Sequence, residues 1–503
     1  MRIWLVFLGL IASACLWAAD NDNGRPDENE MFGGPPPAAS GAATTAAPRT
    51  SQPAPTPAAS PKSDDSVKDL VPDTDRDAFA TGEVVDNPLT IGGIYYQRAI
   101  VSAEQGVNAA GTPMSAPLQF DGFMDARPND RIRAYVDARL LYDPTSGSSV
   151  GNNQTSSTSA APTSLGLPGT TTSTNSASVV LDQAWLKFDV DRTVFITAGK
   201  QHVKWGVSRF WNPTDFLSTQ KRDPLLPYDL RLGNFMAKFD VPIESQKMNV
   251  YAIALLDNPN PAPTLGQGGA AFRVERLFGN AEVGLDAVLR GDMEPVYGAD
   301  VSSPLGPLDG YLELSCLSGG HSLYQLPSSI APNTDINSVI TTQNLPGPAF
   351  QVSGGLSYDF AWEDNRQATL GVEYFYNSIG YSDPHAYPAL IFLGQYQPFY
   401  TGKNYAAIYL TAEGPDAEKH TSYTFSTLGN LSDMSFISRV DFSWRVLTYL
   451  TFEAYADVHY GTDGGEFNFS LSTPALTYQN NPIPAIYLPR TLYDLGIGLR
   501  VSF

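Results

Sequence analysis

Histidine and serine are the residues of this chain that could support metal binding or nucleophilic catalysis. The five histidines are His202, His321, His385, His420 and His459. None of them stands in a recognised metal-binding motif with another His, Cys or acid. Pairing one with a serine nucleophile requires a geometry that the sequence does not show. We therefore predict no metal site, no cofactor and no enzymatic activity, and we interpret His459, near Asp457, as a solvated histidine.

Charged residues recur at every second position in several segments, where they could attract or repel charged solutes. Residues 131–140 carry Arg131, Arg133, Asp137 and Arg139 on one side of this alternation and Ile, Ala, Val and Leu on the other. A period of two is typical of a β-strand with one polar and one apolar face. The other polar faces hold Asp121, Asp125, Lys187, Asp189, Glu282, Asp286, Arg290, Glu373, Arg439, Asp441, Arg445, Glu453, Asp457, Asp494 and Arg500.

The elements that position these residues are long strands. We predict eighteen, and a count of 16 stays open. They lie near 89–100, 116–126, 130–142, 178–190, 193–202, 232–243, 247–256, 268–277, 281–290, 294–302, 308–318, 348–360, 367–378, 403–413, 420–430, 433–445, 449–461 and 492–503. Strands of about ten residues suit a tilted membrane crossing better than the 5–6 residues usual in soluble sheets.

The connections between these strands alternate between longer and shorter segments. Short turns at one end, long loops at the other and an even strand count are typical of transmembrane barrels. We therefore predict an all-β fold, a transmembrane antiparallel β-barrel over residues 89–503, with both of its ends on the short-turn side. A barrel of 16–18 strands is too wide for side chains to fill, so the polar faces are expected to line an aqueous lumen.

Composition excludes two other classes of protein. The 503 residues include 31 Lys and Arg against 52 Asp and Glu, which gives a formal charge of −21. A chain this anionic gains nothing from neutralising phosphates, so we predict no nucleic-acid partner. Heptads of A, E, K, L and R are absent, which excludes a coiled coil.

The first 88 residues are predicted to be processed or unstructured. Residues 1–19 have an early cation, a short apolar stretch and a small-residue exit, as in a secretory signal peptide. Cleavage after Ala19 competes with lipidation of Cys15, because residues 12–15 loosely resemble a bacterial lipobox. Residues 20–88 are rich in Pro, Ala, Ser and Thr, so we expect a disordered tail, either a solvated spacer or an arm that touches the cell wall or a partner.

Segment 203–231 mixes aromatic and charged residues in an unusual way: VKWGVSRFWNPTDFLSTQKRDPLLPYDLR. A loop this apolar is expected to pack, either by folding back into the lumen or against neighbouring loops. Our hypothesis is a constriction loop whose charged residues face the solute. These residues are Lys204, Arg209, Lys221, Arg222 and Asp223.

Two motifs carry a resemblance to a known class of protein. YDLGIGLRVSF, which ends at Phe503, resembles the terminal signature of Gram-negative outer-membrane barrels. GKQHVKWGVSRFWNPTDF resembles the G-(K/R)-Q…W-G…N-P-x-D text of several large outer-membrane barrel families. The resemblance implies a bacterial outer-membrane location, insertion by the barrel-assembly machinery, and contact with outer-membrane lipid and lipopolysaccharide. Both the N-terminal tail and the C-terminus are then periplasmic.

The function expected from this resemblance is a porin-like channel for passive or facilitated diffusion of small hydrophilic solutes. General porins narrow their channel with the third loop, which matches the ordinal position of 203–231, and they are often trimers, so a homotrimer stays open. The mild excess of acids on the polar faces predicts a weak cation preference. The alternatives are a barrel for surface binding or polysaccharide assembly, in which 379–402 contacts a ligand or another subunit, and a barrel hydrolase. Packing in the outer leaflet explains the aromatics of 379–402 equally well.

Overall fold

The computed structural model describes most of the chain beyond residue 87. The described residues are 88–145, 177–218, 220–226, 228–256, 268–291, 293–327, 330–362, 366–416, 419–478 and 481–503. The predicted signal peptide, the Cys15 alternative and the predicted tail up to residue 87 lie outside them. Within the described ranges, no helix has the length and apolarity that a membrane span requires.

Eighteen long strands form the body of the protein. They are β1 (Leu89–Glu104), β2 (Leu118–Asn129), β3 (Ile132–Tyr142), β4 (Ser178–Val190), β5 (Val194–Gln201), β6 (Asn234–Ile243), β7 (Met248–Leu255), β8 (Gly269–Phe278), β9 (Ala281–Arg290), β10 (Met293–Leu305), β11 (Leu308–Leu317), β12 (Ala349–Trp362), β13 (Arg366–Asn377), β14 (Asn404–Glu413), β15 (Thr421–Asn430), β16 (Ser435–Leu447), β17 (Leu450–Gly461) and β18 (Thr491–Ser502).

The sheet closes on itself. Each strand pairs antiparallel with the next, and β1 pairs antiparallel with β18 in a register that places Ile94 opposite Ser502. The terminal Phe503 completes the seam, because its backbone N–H and C=O both bond to Gly93. Closure leaves no exposed sheet edge. The prediction of an eighteen-stranded antiparallel barrel is confirmed, and the count of 16 is wrong.

The two faces of the strands differ as the alternation predicts. On β18, Leu495, Ile497 and Leu499 are about half exposed on the outside, whereas Asp494, on the opposite face, is only 1% exposed. The same division recurs around the barrel, where the exposed large side chains are mostly Leu, Val, Phe and Tyr. An apolar exterior around a polar interior is the architecture of outer-membrane β-barrels, in which every backbone polar group of the wall is paired within the sheet.

The connections at the two ends of the barrel differ in length. The short-turn end has connections such as 130–131 and 279–280, whereas the long-loop end carries 202–233, 318–348, 378–403 and 462–490. The long loops contain the short strands Met114–Ser115, His321–Gln325, Thr334–Asp335, Thr341–Leu345, Leu471–Thr473, Leu476–Tyr478, Asn481–Ile483 and Ile486–Leu488, and the helices Ile336–Val339, Pro384–Ala386, Tyr387–Phe392 and Glu466–Asn468. One further 3-10 turn, Glu244–Gln246, lies at the short-turn end.

Three of the long loops pack on one another at the long-loop end. We call the described parts of 318–348, 378–403 and 462–490 the cap. Its apolar core joins Ile336, Tyr387 and Leu390 to Phe469 and Leu476. Segment 379–402 was predicted as a contact surface for a ligand or another subunit, but its helix, Tyr387–Phe392, is buried inside the cap.

Candidate functional site

The loop between β5 and β6, residues 202–233, folds into the barrel, and we call it the inward loop. Its first anchor is Glu313, which lies on the interior face of β11 and is fully buried. The carboxylate of Glu313 accepts hydrogen bonds from the backbone N–H of Val207 at 2.6 Å, and of Ser208 and Thr214. The Thr214 hydroxyl adds a fourth bond at 2.9 Å. Successive backbone N–H groups that converge in this way form an anion-binding nest.

Gly206 makes the first nest possible. Its φ of +94° lies in the region that favours glycine. A Cβ atom at this position would stand 2.7 Å from both carboxylate oxygens of Glu313 and from Oγ1 of Thr214. The close approach of the WG turn to the carboxylate therefore requires a residue without a side chain.

A second nest holds the loop to a different part of the wall. Glu373, on the interior face of β13, accepts from the backbone N–H of Arg209 at 2.9 Å, of Phe210 at 3.1 Å and of Trp211 at 2.8 Å. The hydroxyl of Tyr311 donates to the same carboxylate. Two neighbouring turns of the loop thus bind two glutamates on separate strands, which sets the depth and direction of the loop.

Trp211 packs between the wall and the cap and so holds the loop in place. Its indole N–H donates to the carbonyl of Phe399 at 2.8 Å, and its ring stacks on Phe375 of β13 with 5.9 Å between ring centroids. Tyr405 of β14 completes the contact at 5.5 Å. The side chain of Trp211 is fully buried. A buried aromatic of this size contributes a large apolar area in addition to its ring contacts.

The second half of the inward loop contacts a further part of the wall, at β17 and β1. The Tyr228 hydroxyl donates to Glu453 of β17 at 2.7 Å, and Tyr96 of β1 donates to the same carboxylate at 2.7 Å. Arg231 pairs with Asp215 at 2.6 Å and closes the loop on itself. The loop leaves the wall between β5 and β6 and is anchored at β11, β13 and β17, so that it crosses the interior.

The chain was compared with known protein families, curated proteins and solved structures, and only the solved structures gave matches. No family model matches the chain, and no curated protein matches it. Among solved structures, the chain is similar to the crystal structure of Acinetobacter baumannii OccAB1, with 12% identity, a TM-score of 0.49, and coverage of 85% of this chain and 99% of that chain. It is also similar to a triple mutant of Rhodopseudomonas blastica porin, with 8% identity, a TM-score of 0.38, and coverage of 82% and 100%. Likenesses this distant do not show a shared family.

The residues predicted for the constriction are all half-buried and lie at two places on the inward loop. Arg209 lies over the Tyr409 ring, with 3.9 Å from Cζ to the ring centroid, and Lys221 lies 5.5 Å from the centroid of Tyr400. Burial lowers the pKa of the Lys221 ammonium and of the Arg222 guanidinium. The carboxylate of Asp223 accepts from the backbone N–H of Leu225, within the loop. Lys204 is half-buried near the start of the loop.

Several residues predicted for the polar strand faces form ion pairs. Arg139 bridges Asp121 at 3.0 Å and Asp182 at 2.7 Å, and Arg133 pairs with Asp125 at 3.0 Å. Further pairs in the same class are Arg131–Asp189, Asp286–Arg273, Arg439–Asp441, Arg439–Asp457 and Glu453–Arg500. Asp137 is buried beside this network, and Glu282 is half-buried opposite Ser302.

Glu313 was not among the predicted site residues, and Glu373 was predicted only as one of many acids on the polar strand faces. The signal for Glu313 was present, because it occupies the polar face of the alternating segment LELSC in β11. What the sequence does not display is that the two glutamates receive the backbone of the WG and RFW turns about 100 and 160 residues earlier in the chain. His459 also differs from expectation, since it is buried rather than solvated.

Proposed function

We propose that this protein is a porin-like outer-membrane channel through which small hydrophilic solutes diffuse. The observation that carries the proposal is the inward loop, which crosses the interior and is anchored at Glu313, Glu373 and Glu453. A loop held at several strands of a wide barrel narrows the passage through it. The proposal places the N-terminal tail and the C-terminus in the periplasm and assigns the chain no catalytic step.

The charge on the inward loop supports a role in selecting solutes. Arg209, Lys221 and Arg222 are half-buried cations on a loop inside the barrel. Cations in a partly desolvated passage act on a passing ion more strongly than cations in bulk water, because screening there is weaker. The polar strand faces carry a mild excess of acids, and for the whole channel we propose a weak cation preference.

Reconstitution in a planar bilayer tests the proposal directly. The purified full-length chain is expected to give discrete open steps, and sugars of graded size are expected to reduce the conductance up to a size limit. Reversal potentials in a salt gradient are expected to show weak cation selectivity. Silence of a correctly folded protein would contradict the channel, and firm anion selectivity would contradict the proposed preference.

Charge reversal on the inward loop tests the role of 203–231 as the constriction. The combined change Arg209→Glu, Lys221→Glu and Arg222→Glu is expected to shift the reversal potential towards stronger cation selectivity. The matched control reverses the same number of cations at the short-turn end, where Arg192, Lys247 and Arg276 are exposed. A shift of equal size in both triple variants, or an unchanged reversal potential in the first, would show that the loop does not set selectivity.

A second candidate function rests on the cap. Its loops 318–348, 378–403 and 462–490 share an apolar core. They therefore form one packed surface at the long-loop end rather than three independent loops. A packed surface of this kind suits a barrel that binds or assembles a polysaccharide. The bilayer experiment separates the two functions, since a binding barrel that is plugged gives no open steps.

A further inference from the structure

A histidine and two aspartates meet on the interior face of the wall where β17 pairs with β18. Asp457 and His459 lie two positions apart on β17, and Asp494 lies opposite Asp457 in the register of β18. All three side chains are buried. One ligand atom from each of them can be chosen so that the three atoms lie within 4.8 Å of one another. His and carboxylate together form a donor set that suits divalent transition metals.

The orientation of His459 is determined by the cap. Its Nδ1 lies 2.6 Å from the carbonyl oxygen of Phe467. A carbonyl oxygen can only accept a hydrogen bond, so Nδ1 carries the proton. The other nitrogen, Nε2, then faces Oδ1 of Asp457 at 3.3 Å and Oδ2 of Asp494 at 3.5 Å. In neutral imidazole, Nε2 carries a lone pair. A lone pair that faces two carboxylates is repelled by them unless a cation, either a proton or a metal ion, lies between them.

The distances distinguish a proton from a metal ion as that cation. A charge-assisted N–H···O bond is about 2.7–2.9 Å long, and one N–H cannot point straight at two oxygens. Zinc binds His nitrogen and carboxylate oxygen at about 2.0–2.2 Å, so neighbouring ligands of a tetrahedral site stand about 3.3–3.6 Å apart. The two histidine–aspartate distances of 3.3 and 3.5 Å match these tetrahedral edges, and the three ligand atoms lie within 4.8 Å of one another.

The surrounding contacts support the ligands as they do in metal sites. The Nδ1–H of His459 bonds to a backbone carbonyl, the arrangement that fixes ring orientation in most metal-bound histidines. The backbone N–H of Asp494 donates to Oδ1 of Asp457 at 3.1 Å. Arg439 lies 3.5 Å from Oδ2 of Asp457, but it is drawn more closely to Asp441 at 2.8 Å.

We propose that Asp457, His459 and Asp494 form a binding site for a divalent transition-metal ion of the zinc type, with a water molecule as the fourth ligand. Imidazole favours such metals over Mg²⁺ and Ca²⁺, which prefer all-oxygen sites. The bound ion fixes the histidine that holds Phe467, and Phe467 packs on Phe399 and Tyr405. The site therefore ties the cap loop 462–490 to the wall. It does not depend on whether the barrel conducts.

Metal titration of the detergent-solubilised full chain tests the site. Isothermal titration with Zn²⁺ is expected to show one ion per chain, and His459→Gln and Asp494→Asn are each expected to weaken binding at least tenfold. The matched control is His385→Gln, which removes a histidine of an exposed His–Asp pair, and it is expected to bind as the wild type does. Absence of Zn²⁺ binding, or equal binding in all four proteins, overturns the proposal.

A second measurement on the wild type needs no variant to fold. Co²⁺ added to the protein is expected to give the intense visible absorption of a tetrahedral ion, which Zn²⁺ abolishes and excess Mg²⁺ does not. A spectrum that stays that of hydrated Co²⁺ overturns the proposal, even if a substitution at His459 or Asp494 prevents folding. Retention of the folded form is checked for each variant by its migration on a gel before and after heating.

Discussion

Buried carboxylates hold loops in place in two regions of this barrel, and the two regions distribute hydrogen bonds differently. In the inward loop, Glu313 and Glu373 belong to the wall, and each receives its own set of backbone N–H groups. In the cap, Glu466 belongs to a loop and accepts from the Phe399 N–H, the Tyr405 hydroxyl and the Asn430 amide. The same amide nitrogen of Asn430 also donates to a second carboxylate, Asp433, at 3.1 Å.

The shared donors make the anchor in the cap dependent on protonation. Separate nests give each wall glutamate enough donors of its own. In the cap, two carboxylates share one amide, and the Glu466 backbone N–H itself donates to Asp433 at 2.7 Å. Burial, with Asp433 as a further cause, raises the pKa of Glu466 from its ordinary value near 4.5 to about 8. The cap is therefore expected to loosen at alkaline pH.

The largest effect is expected from removing Glu373, a wall glutamate that has its own set of hydrogen-bond donors. Glu373→Ala leaves three backbone N–H groups and the Tyr311 hydroxyl without their acceptor in a buried place. Each unsatisfied buried donor costs about 1–3 kcal/mol, so we expect the packing of the inward loop to lose roughly 3 kcal/mol or more. Limited trypsin digestion should then cleave at Arg209, Lys221 or Arg222 in the variant and spare the wild type.

Glu294→Ala is the control for this prediction, because Glu294 is an exposed glutamate on β10. Its loop should resist trypsin as the wild type does. Protection of the loop in Glu373→Ala would show that the packing of Trp211 alone holds it, and the contrast between the two regions would then lose its basis.

A smaller effect is expected from raising the pH. Because the folded protein keeps a proton on Glu466 up to about pH 8 whereas the unfolded chain releases it near 4.5, the carboxyl's contribution to stability is fully present below 4.5 and is lost as pH rises through 8. One proton changes stability by at most about 1.4 kcal/mol per pH unit, and because Glu466 titrates within this window the expected loss between pH 7 and 8.5 is about 1.3 kcal/mol. Hydrogen exchange of the 462–490 backbone at several pH values measures it.

Glu466→Gln sharpens this comparison, since glutamine remains neutral and nearly isosteric. In the variant, exchange corrected for its intrinsic pH dependence should be flat between pH 7 and 8.5, while the inward loop behaves alike in both proteins. A cap that loosens equally in Glu466→Gln would assign the pH response to another group.

The barrel was predictable from the sequence, and the reason is local. Period-two alternation is a property of each strand alone, so segments such as 281–290 and 449–461 could be placed to within a few residues. The alternation of long and short connections then indicated the direction in which each strand runs. The four residues added to β1 beyond residue 100 were missed, because an alternation of only four residues is a weak signal and their partners on β18 lie far away in the chain.

The site was predictable only in part, because its contacts join residues far apart in the chain. The composition of 203–231 indicated a loop that packs, but no pattern near Gly206 shows that its partner is Glu313. The cluster of Asp457, His459 and Asp494 was missed for the same reason. Two ligands lie at a strand spacing of two, the third lies 35 positions further on, and only the strand register brings them together.

The smallest predicted effect separates the contribution of the nest around Glu313 from the backbone strain at Gly206. Gly206→Ala places a Cβ 2.7 Å from the Glu313 carboxylate, and it forces alanine into a conformation with positive φ. Gly306→Ala is the matched control, because Gly306 also has positive φ, +73°, but a Cβ there meets nothing within 4 Å. Both variants carry a backbone cost of about 1–2 kcal/mol.

Only Gly206→Ala is expected to lose protection of the inward loop as well, by about 1 kcal/mol beyond the control, because the added carbon pushes the Val207 and Ser208 N–H groups away from their acceptor. Thermal denaturation compares the two variants, and hydrogen exchange at Val207 and Ser208 locates the difference. Equal losses in both would mean that the turn tolerates the carbon by moving as a unit. The nest at Glu313 would then be an adaptable contact, and Glu373 would be the anchor that sets the position of the loop.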